Sequence, residues 1–234
     1  MPKVEVCLSP ELIHLFDLKG KIVVVVDILR ATTCMTTGIA HGVAEIKPVA
    51  TLEECSALKE KGYYTAAERE GQKVDGFDIG NSPFSYMEDR FKGEKIATTT
   101  TNGTLAITKS LEADEVVVGS FLNLTSVAKH LKSQNKGVVI HCAGWKGNYS
   151  LEDTLFAGAL YEALQPEFES DSDATHSAHT LYQAAKNKLL ETVLESSHAK
   201  RLEKHNIRKD IVFCVKQDVY DVLPILKDGS LVKK

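Results

Sequence analysis

The stretch V-V-V-V-D-I-L-R-A-T-T, Val23 to Thr33, sets an acid, a base and two hydroxyls directly behind a run of β-branched residues. Such an apolar run reads as a buried strand, which puts Asp27 at its carboxyl end, Arg30 three residues on, and Thr32 and Thr33 at the start of the next helix. Ligands of open parallel sheets bind beyond the carboxyl ends of strands, and a helix N-terminus offers free N–H groups to an anion. There a carboxylate can hold a metal and an arginine can grip a phosphate. A satisfied strand end followed by a threonine cap accounts for the same residues without a ligand, so a functional reading needs partners from elsewhere in the chain.

Three further stretches offer them. In I-A-T-T-T-T-N-G-T, Ile96 to Thr104, a strand delivers four threonines to an Asn102-Gly103 turn, gathering the hydroxyls of Thr100, Thr101 and Thr104 and the loop's backbone donors as an anion cradle. It lacks the lysine and spacing of a Walker A loop, so a nucleotide triphosphatase is not indicated. The segment Ala66 to Pro83 packs Glu68, Arg69, Glu70, Asp75 and Asp78 with three glycines and an Asn81-Ser82-Pro83 turn. An oxygen-rich loop of this kind suits Mg²⁺, which takes one or two carboxylates and keeps several waters. Asn81 and Ser82 precede a proline expected in a first helical turn and can add polar contacts there. The last stretch, Val138 to Asp153, places His141-Cys142 at a strand end, as thiolate phosphatases do, but their arginine position is Asn148. Without that clamp and its help to the thiolate, Cys142 reads as a small residue where strand meets turn. Ser150 and Asp153 fit a cap of the following helix, with Glu152 or Asp153 facing the site as the lesser reading.

Other chemistries find little support. The histidines at 14, 41, 130, 141, 176, 179, 198 and 205 are scattered, and His176-x-x-His179 has no third ligand nearby in sequence. There is no G-x-S-x-G elbow, and Asp27 is followed by Ile28 and Leu29 rather than by a second aspartate. The five cysteines (7, 34, 55, 142 and 214) share no CxxC spacing and fit free thiols in a reducing compartment. A net charge of −4 gives no long-range pull toward nucleic acid or anionic membrane. The longest aliphatic run, Ile22 to Val26, is far too short to span a bilayer, and the first ten residues have no signal core. The expectation is a soluble, cytoplasmic protein.

The elements that must position these residues alternate between strand-like runs and helical patterns, which predicts an α/β fold with a mostly parallel or mixed sheet between helices. Strands are expected near 22–27, 45–49, 94–100, 114–119 and 137–142, and helices over 33–42, 51–61, 103–111, 123–134 and 151–163. Thr51-x-x-Glu54 forms a capping-box pattern. A long helix is expected from about Asp171 to His198, its apolar face packing internally or in a homodimer. The polar segment 167–173 reads as a flexible surface connection, and the whole chain, 1–234, as one compact unit. Strand–turn–helix units at 22–42, 94–111 and 137–158 are compatible with two similar halves, although their identity is too low to establish a duplication.

With these residues in view, the chain resembles the 2-phosphosulfolactate phosphatase family, Mg²⁺-dependent acid phosphatases of coenzyme M biosynthesis. The resemblance runs from Val23 to about Leu231. It rests on six motifs in order: V-V-V-D-I-L-R-A-T-T (24–33), E-R-E-G-x-x-V-D-G-F-D-I-G-N-S-P (68–83), T-T-T-N-G-T (99–104), G-S-F-L-N (119–123), C-A-G-W-K-G-N-Y-S-L-E-D (142–153) and D-I-V-F-C-V-K-Q-D-V-Y-D-V-L-P (210–224). It implies a three-layer α/β/α fold, a homodimer, and hydrolysis of (R)-2-phospho-3-sulfolactate to (R)-3-sulfolactate and phosphate. Two departures stand out. The family often reads G-E-R-G-G where this chain has Ala67-Glu68-Arg69-Glu70-Gly71, and a typical Ser-x-His-Gly appears as Ser196-Ser197-His198-Ala199.

A substrate with a phosphate, a carboxylate and a sulfonate needs several cationic and N–H donors. Arg30 and Arg69 are the expected bidentate clamps, joined by the Thr98–Thr104 loop and by Ser120 in the 119–123 turn. Asp27 and Glu68, with Asp78 as a third, are the expected Mg²⁺ ligands. Direct attack by water and an aspartyl phosphate on Asp27 are both compatible with this set. A phosphatase for another phosphorylated hydroxy acid and a non-catalytic module binding a sulfonated or phosphorylated acid are the alternatives.

Overall fold

The computed structural model of the chain describes residues 1–204 and 207–234; His205, named among the scattered histidines, lies outside the described residues. One ten-stranded sheet runs through it, with strands β1 (Val4–Cys7), β2 (Ile22–Val26), β3 (Glu45–Pro48), β4 (Tyr64–Arg69), β5 (Gln72–Lys73), β6 (Lys95–Thr99), β7 (Glu115–Gly119), β8 (Val138–Cys142), β9 (Pro224–Lys227) and β10 (Ser230–Lys233). Their order across the sheet is β1-β8-β2-β7-β9-β10-β3-β6-β4-β5. The helices are α1 (Ala31–Ala40), α2 (Leu52–Ala57), α3 (Gly103–Thr108), α4 (Leu124–Gln134), α5 (Leu151–Leu164), α6 (Asp173–Ala185), α7 (Leu189–Leu194), α8 (Ser197–Glu203) and α9 (Arg208–Cys214).

Every residue of β2 and of β8 is buried, as expected of central strands covered on both faces. Val24, Val26 and Ile140 pack with Phe156 and Leu160 of α5 and with Ala178 and Tyr182 of α6. On the opposite face, Val23, Val25 and Val139 pack with Cys34 and Met35 of α1 and with Ala106 and Ile107 of α3. The α/β/α layering follows from this division, with the alternate side chains of each strand feeding two separate cores.

The sheet is mixed in a particular way. Strands β1, β8, β2 and β7 form one parallel block, and β3, β6 and β4 another. Between them lie antiparallel steps from β7 to β9, β9 to β10 and β10 to β3, so the blocks point in opposite senses along the sheet. Nevertheless, residues just beyond the carboxyl ends of β2, β8, β4 and β6 line one cavity. A flat sheet would leave those ends at opposite edges, so the sheet curls, with α1 packed against β3, β7, β9 and β10 inside the curve. The β3–β6–β4 block is drawn from residues 45–99, nested between the two stretches that supply the other block.

The five expected strands and the helices between them are present, and the Thr51–Glu54 capping box closes as its spacing predicts. Other elements differ from expectation. The bridging hairpin was not anticipated, although Asp228 and Gly229, with φ of 51° and 77°, supply the two left-handed residues that a two-residue turn requires. The expected long helix is broken into α6, α7 and α8. Ser196 takes the Ala199 N–H on its hydroxyl at 3.0 Å and so starts a new helix. The buried face of α6, Thr175, Ala178, Tyr182 and Ala185, is occupied within the chain, against α5 and β1. Residues 167–173 are tied down: the Glu169 carbonyl accepts from Val4 N at 2.9 Å, Ser170 Oγ donates to the Val4 carbonyl, and Phe168 is buried.

Candidate active site

The cavity at the strand ends has a volume of about 210 Å³. The β2–α1 turn brings Asp27 and Arg30 to it, β4 and the turn after it bring Glu68, Glu70 and Gly71, and the loop after β6 brings Thr101 and Asn102. Asn81, Trp145, and His198, Arg201 and Lys204 from the α8 region complete the wall. Local geometry holds the first corner in place. Asp27 Oδ1 accepts from Ala31 N at 3.3 Å, and Gly103 lies against the other oxygen: a Cβ added there would stand 2.9 Å from Asp27 Oδ2 and 2.6 Å from the Ala31 methyl. Glycine at 103 therefore both lets α1 and α3 approach and leaves the space in front of Asp27 open.

Electrostatics single out the same carboxylate. Burial pushes Asp27 up to about 6 from the usual 3.8; the charges of Glu68 and Glu152 add to the rise, while His198 and the Ala31 N–H oppose it. Arg30 is buried in an ion pair with Asp210 of α9, and its Nη2 donates to the Gly71 carbonyl at 3.1 Å, so its guanidinium is locked at the cavity wall. Asp153 spans two turns, accepting from Ile28 N at 2.9 Å on one oxygen and from Gly144 N at 3.0 Å on the other. It joins the β2–α1 corner to the β8–α5 loop, and burial with Glu152 and Asp27 beside it raises its carboxyl. Ser150 occupies the N-cap position of α5 without a side-chain cap bond, and Asp153 is spent on this bridge rather than on the cap.

Several expected contacts are not brought to the cavity. Arg69 follows Glu68 on a strand and faces the other way, its guanidinium bound to the Glu68 carbonyl at 2.6 Å and to Thr99 Oγ1 at 3.2 Å. Asp78, expected as a third metal ligand, accepts instead from the Thr65 N–H at 2.8 Å and from its hydroxyl at 2.9 Å, near the opposite end of β4. Thr32 and Thr33 are fully buried, with hydroxyls donated to the Asp27 and Ile28 carbonyls at 2.9 Å each. Thr104 likewise donates to the Thr100 carbonyl, and Thr100 Oγ1 accepts from Thr104 N. Ser120 is buried with Asn123 and Thr36. The hydroxyls of Thr32, Thr33, Thr104 and Ser120 are thus engaged in building the loops that present the cavity. Asn102 lines it while accepting from Lys146 N at 2.9 Å, and Ser82 borders an adjoining cavity on the far side of Arg30.

The residues not anticipated are Asp210, His198, Arg201, Lys204 and Trp145. Asp210 opens one of the six motifs and His198 sits in the Ser-x-His pattern, so each carried a signal without a role. Arg201 stacks on Trp145, with Cζ 3.8 Å from the ring centroid. Glu70 takes a positive φ of 56°, which explains why glycine suits this position, and its carboxylate binds Lys146 at 2.6 Å. Among the described residues no group of three or more His, Cys, Asp or Glu side chains is placed to hold a metal. Three carboxylates line the cavity, and with Glu70 paired to Lys146 the two left for an ion are Asp27 and Glu68. With the open space before Asp27 Oδ2 they suit an ion that needs one or two carboxylates and keeps its waters, as Mg²⁺ does.

Fold and cavity together define an α/β protein with an acid-and-cation pocket at converging strand ends. The profile of the family described as 2-phosphosulpholactate phosphatase matches residues 7–229. A probable 2-phosphosulfolactate phosphatase of Caldanaerobacter subterraneus subsp. tengcongensis is 42% identical over 219 residues, covering 91% of this chain and 90% of the relative. Relatives of the same name from Thermotoga maritima and Clostridium beijerinckii are 39% and 34% identical, covering 90% and 98% of this chain and 91% and 98% of their own. The chain belongs to the 2-phosphosulfolactate phosphatase family. No helix among the described residues is long and apolar enough to cross a membrane.

Proposed function

We propose that the chain hydrolyses (R)-2-phospho-3-sulfolactate to (R)-3-sulfolactate and phosphate with Mg²⁺. The observation that carries this reading is the meeting of Asp27 and Glu68 with a cationic wall of Arg30, Arg201 and Lys204 in one small cavity, in a chain of this family. Asp27 and Glu68 would hold the ion. When bound, Mg²⁺ supplies charge neutralisation at the phosphoryl oxygens.

Phosphoryl transfer needs mainly positioning and electrostatic stabilisation. Arg30, locked by Asp210 and Gly71, presents its fork at fixed geometry to the phosphate, while Arg201 and Lys204 face the carboxylate and sulfonate. Thr101 and Asn102 supply neutral donors from the adjoining loop. The test is phosphate release from racemic 2-phosphosulfolactate by the purified protein, with Mg²⁺ and then with EDTA. Release that requires Mg²⁺ is expected; no release from folded protein under either condition overturns the reading.

One observation favours a neighbouring substrate. The Glu70–Lys146 pair at the rim neutralises a cation beside the cavity, which suits an ester with fewer acidic groups. A panel of phosphoglycolate, phospholactate and 3-phosphoglycerate separates these esters, and ligand-dependent thermal stabilisation without phosphate release would instead mark a binding module. A homodimer in the cytoplasm is part of the proposal; light scattering tests the dimer, and five free, buried thiols agree with a reducing compartment.

A further inference from the structure

The alkoxide that leaves a phosphorylated hydroxy acid is a strong base, so breaking its bond to phosphorus is helped by a proton donor at the ester oxygen. Arginines do not give up a proton near neutral pH, and Asp27 and Glu68 are assigned above to the ion. His198 is the histidine among the cavity-lining residues. Its Nδ1 lies 2.6 Å from Glu152 Oε1, and Glu152, on α5, is almost fully buried at 1% exposed. Among the described residues nothing takes the opposite ring nitrogen, Nε2. The second Glu152 oxygen, Oε2, is buried without a hydrogen-bond partner among the described residues. A carboxylate committed so fully to one histidine has a reason beyond packing, since a buried acceptor left unmade is costly.

We propose that His198 is the general acid of the reaction, acting through Nε2, and that Glu152 is the positioning residue that fixes its ring and tautomer. The assignment rests on the phosphatase reading above. A carboxylate on Nδ1 makes that nitrogen the N–H donor to the protein and leaves Nε2 as the atom that exchanges protons with substrate. In the step, the bond from phosphorus to the ester oxygen breaks and its electron pair stays on that oxygen, which takes the Nε2 proton. The oxygen of water bonds to phosphorus; one of its protons remains on the phosphate and the other returns to Nε2. The charged groups that share the cavity with His198 are Asp27, Arg30, Glu68 and Glu70 from the sheet side and Arg201 and Lys204 from its own region, with Glu152 behind it. A second cavity of about 200 Å³, bordered by Tyr149 and Ser197, is also lined by His198 and Glu152.

The experiment compares the wild type with His198→Gln and Glu152→Gln on 2-phosphosulfolactate and on acetyl phosphate, across pH, with thermal melts to confirm folding. The carboxylate leaving acetyl phosphate needs no proton. His198→Gln is expected to lower kcat on 2-phosphosulfolactate by about 10²–10⁴-fold, with KM little changed, and to remove the alkaline limb of the kcat profile. On acetyl phosphate the loss should be under about tenfold. Glu152→Gln, which can still accept from Nδ1, should lose less and shift the alkaline limb rather than abolish it. Equal losses on both esters, a rise confined to KM, or an alkaline limb that survives in His198→Gln would overturn the assignment while leaving the phosphatase reading intact. A wild type that releases phosphate from neither ester removes the reading and the role together.

Discussion

Two corners of the cavity each pair an acid with an arginine, and only one delivers both. In the β2–α1 corner Asp27 and Arg30 are three residues apart across a turn, where the chain changes direction, and both side chains reach the cavity. In the β4 corner Glu68 and Arg69 are neighbours on a strand, whose side chains alternate between faces, so Glu68 reaches the cavity and Arg69 braces Thr99 instead. The same pair of residue types thus yields a site element or half of one according to the backbone beneath it. The cations that sequence assigned to Arg69 come from Arg201 and Lys204, over a hundred residues away in sequence.

The sharpest way to break this comparison is at Asp27. Asp27→Asn should lower turnover by at least about 10²-fold with the fold intact, as measured by phosphate release and circular dichroism; near-normal turnover would remove Asp27 from the site. Next come the two arginines. Arg30→Lys should lose about 10- to 100-fold in affinity, because a charged bidentate contact is worth about 1.5–3 kcal/mol. Arg69→Lys should stay within about twofold. Equal effects would mean that strand alternation does not separate their roles. Arg30→Ala should also cost about 3–5 kcal/mol of stability by leaving Asp210 buried and unpaired, visible in urea titration.

The pH dependence of stability distinguishes the corner from the core. The folded value of Asp27, about 6, lies above its ordinary 3.8, so this group favours the fold fully below about pH 4 and loses that contribution as pH rises through 6. His141, buried against Ser110, is pulled down by burial to about 4 from 6.5, so its contribution is present above 6.5 and is lost as pH falls through 4. Each shift corresponds to about 3 kcal/mol, and the two oppose each other. In EDTA, Asp27→Asn should therefore lose stability more steeply than the wild type between pH 6.5 and 4; parallel curves would contradict the placement of Asp27. The smallest effects are expected at the β4 side. Asp78→Asn should leave any Mg²⁺ requirement unchanged, and Glu70→Gly should keep the fold while releasing Lys146, seen as a modest change in KM.

Much of this architecture was legible because local physics expresses it directly. The valine runs mark β2 and β7, the Thr51–Glu54 spacing marks a helix start, and Asp27 marks a strand end. The missed strands are β1 and β5, short at four and two residues, β4, with Ala66 and Ala67 in place of β-branched residues, and the β9–β10 hairpin despite its Asp-Gly turn. The threonines show a different limit. Their positions were found, but whether a hydroxyl faces a ligand or its own backbone depends on burial, and Thr32, Thr33 and Thr104 spend theirs inside.

By itself, the sequence determined the layered α/β class, the family and the acid at the end of β2, because periodicity and motif are properties of neighbouring residues. The tertiary structure decided which charges share a space. Three antiparallel steps and a curl of the sheet around α1 bring opposed strand blocks to one cavity, and only that curvature lets Glu68, His198 and Arg201 stand with Asp27. Contacts between residues so far apart along the chain are set by packing that no local pattern encodes.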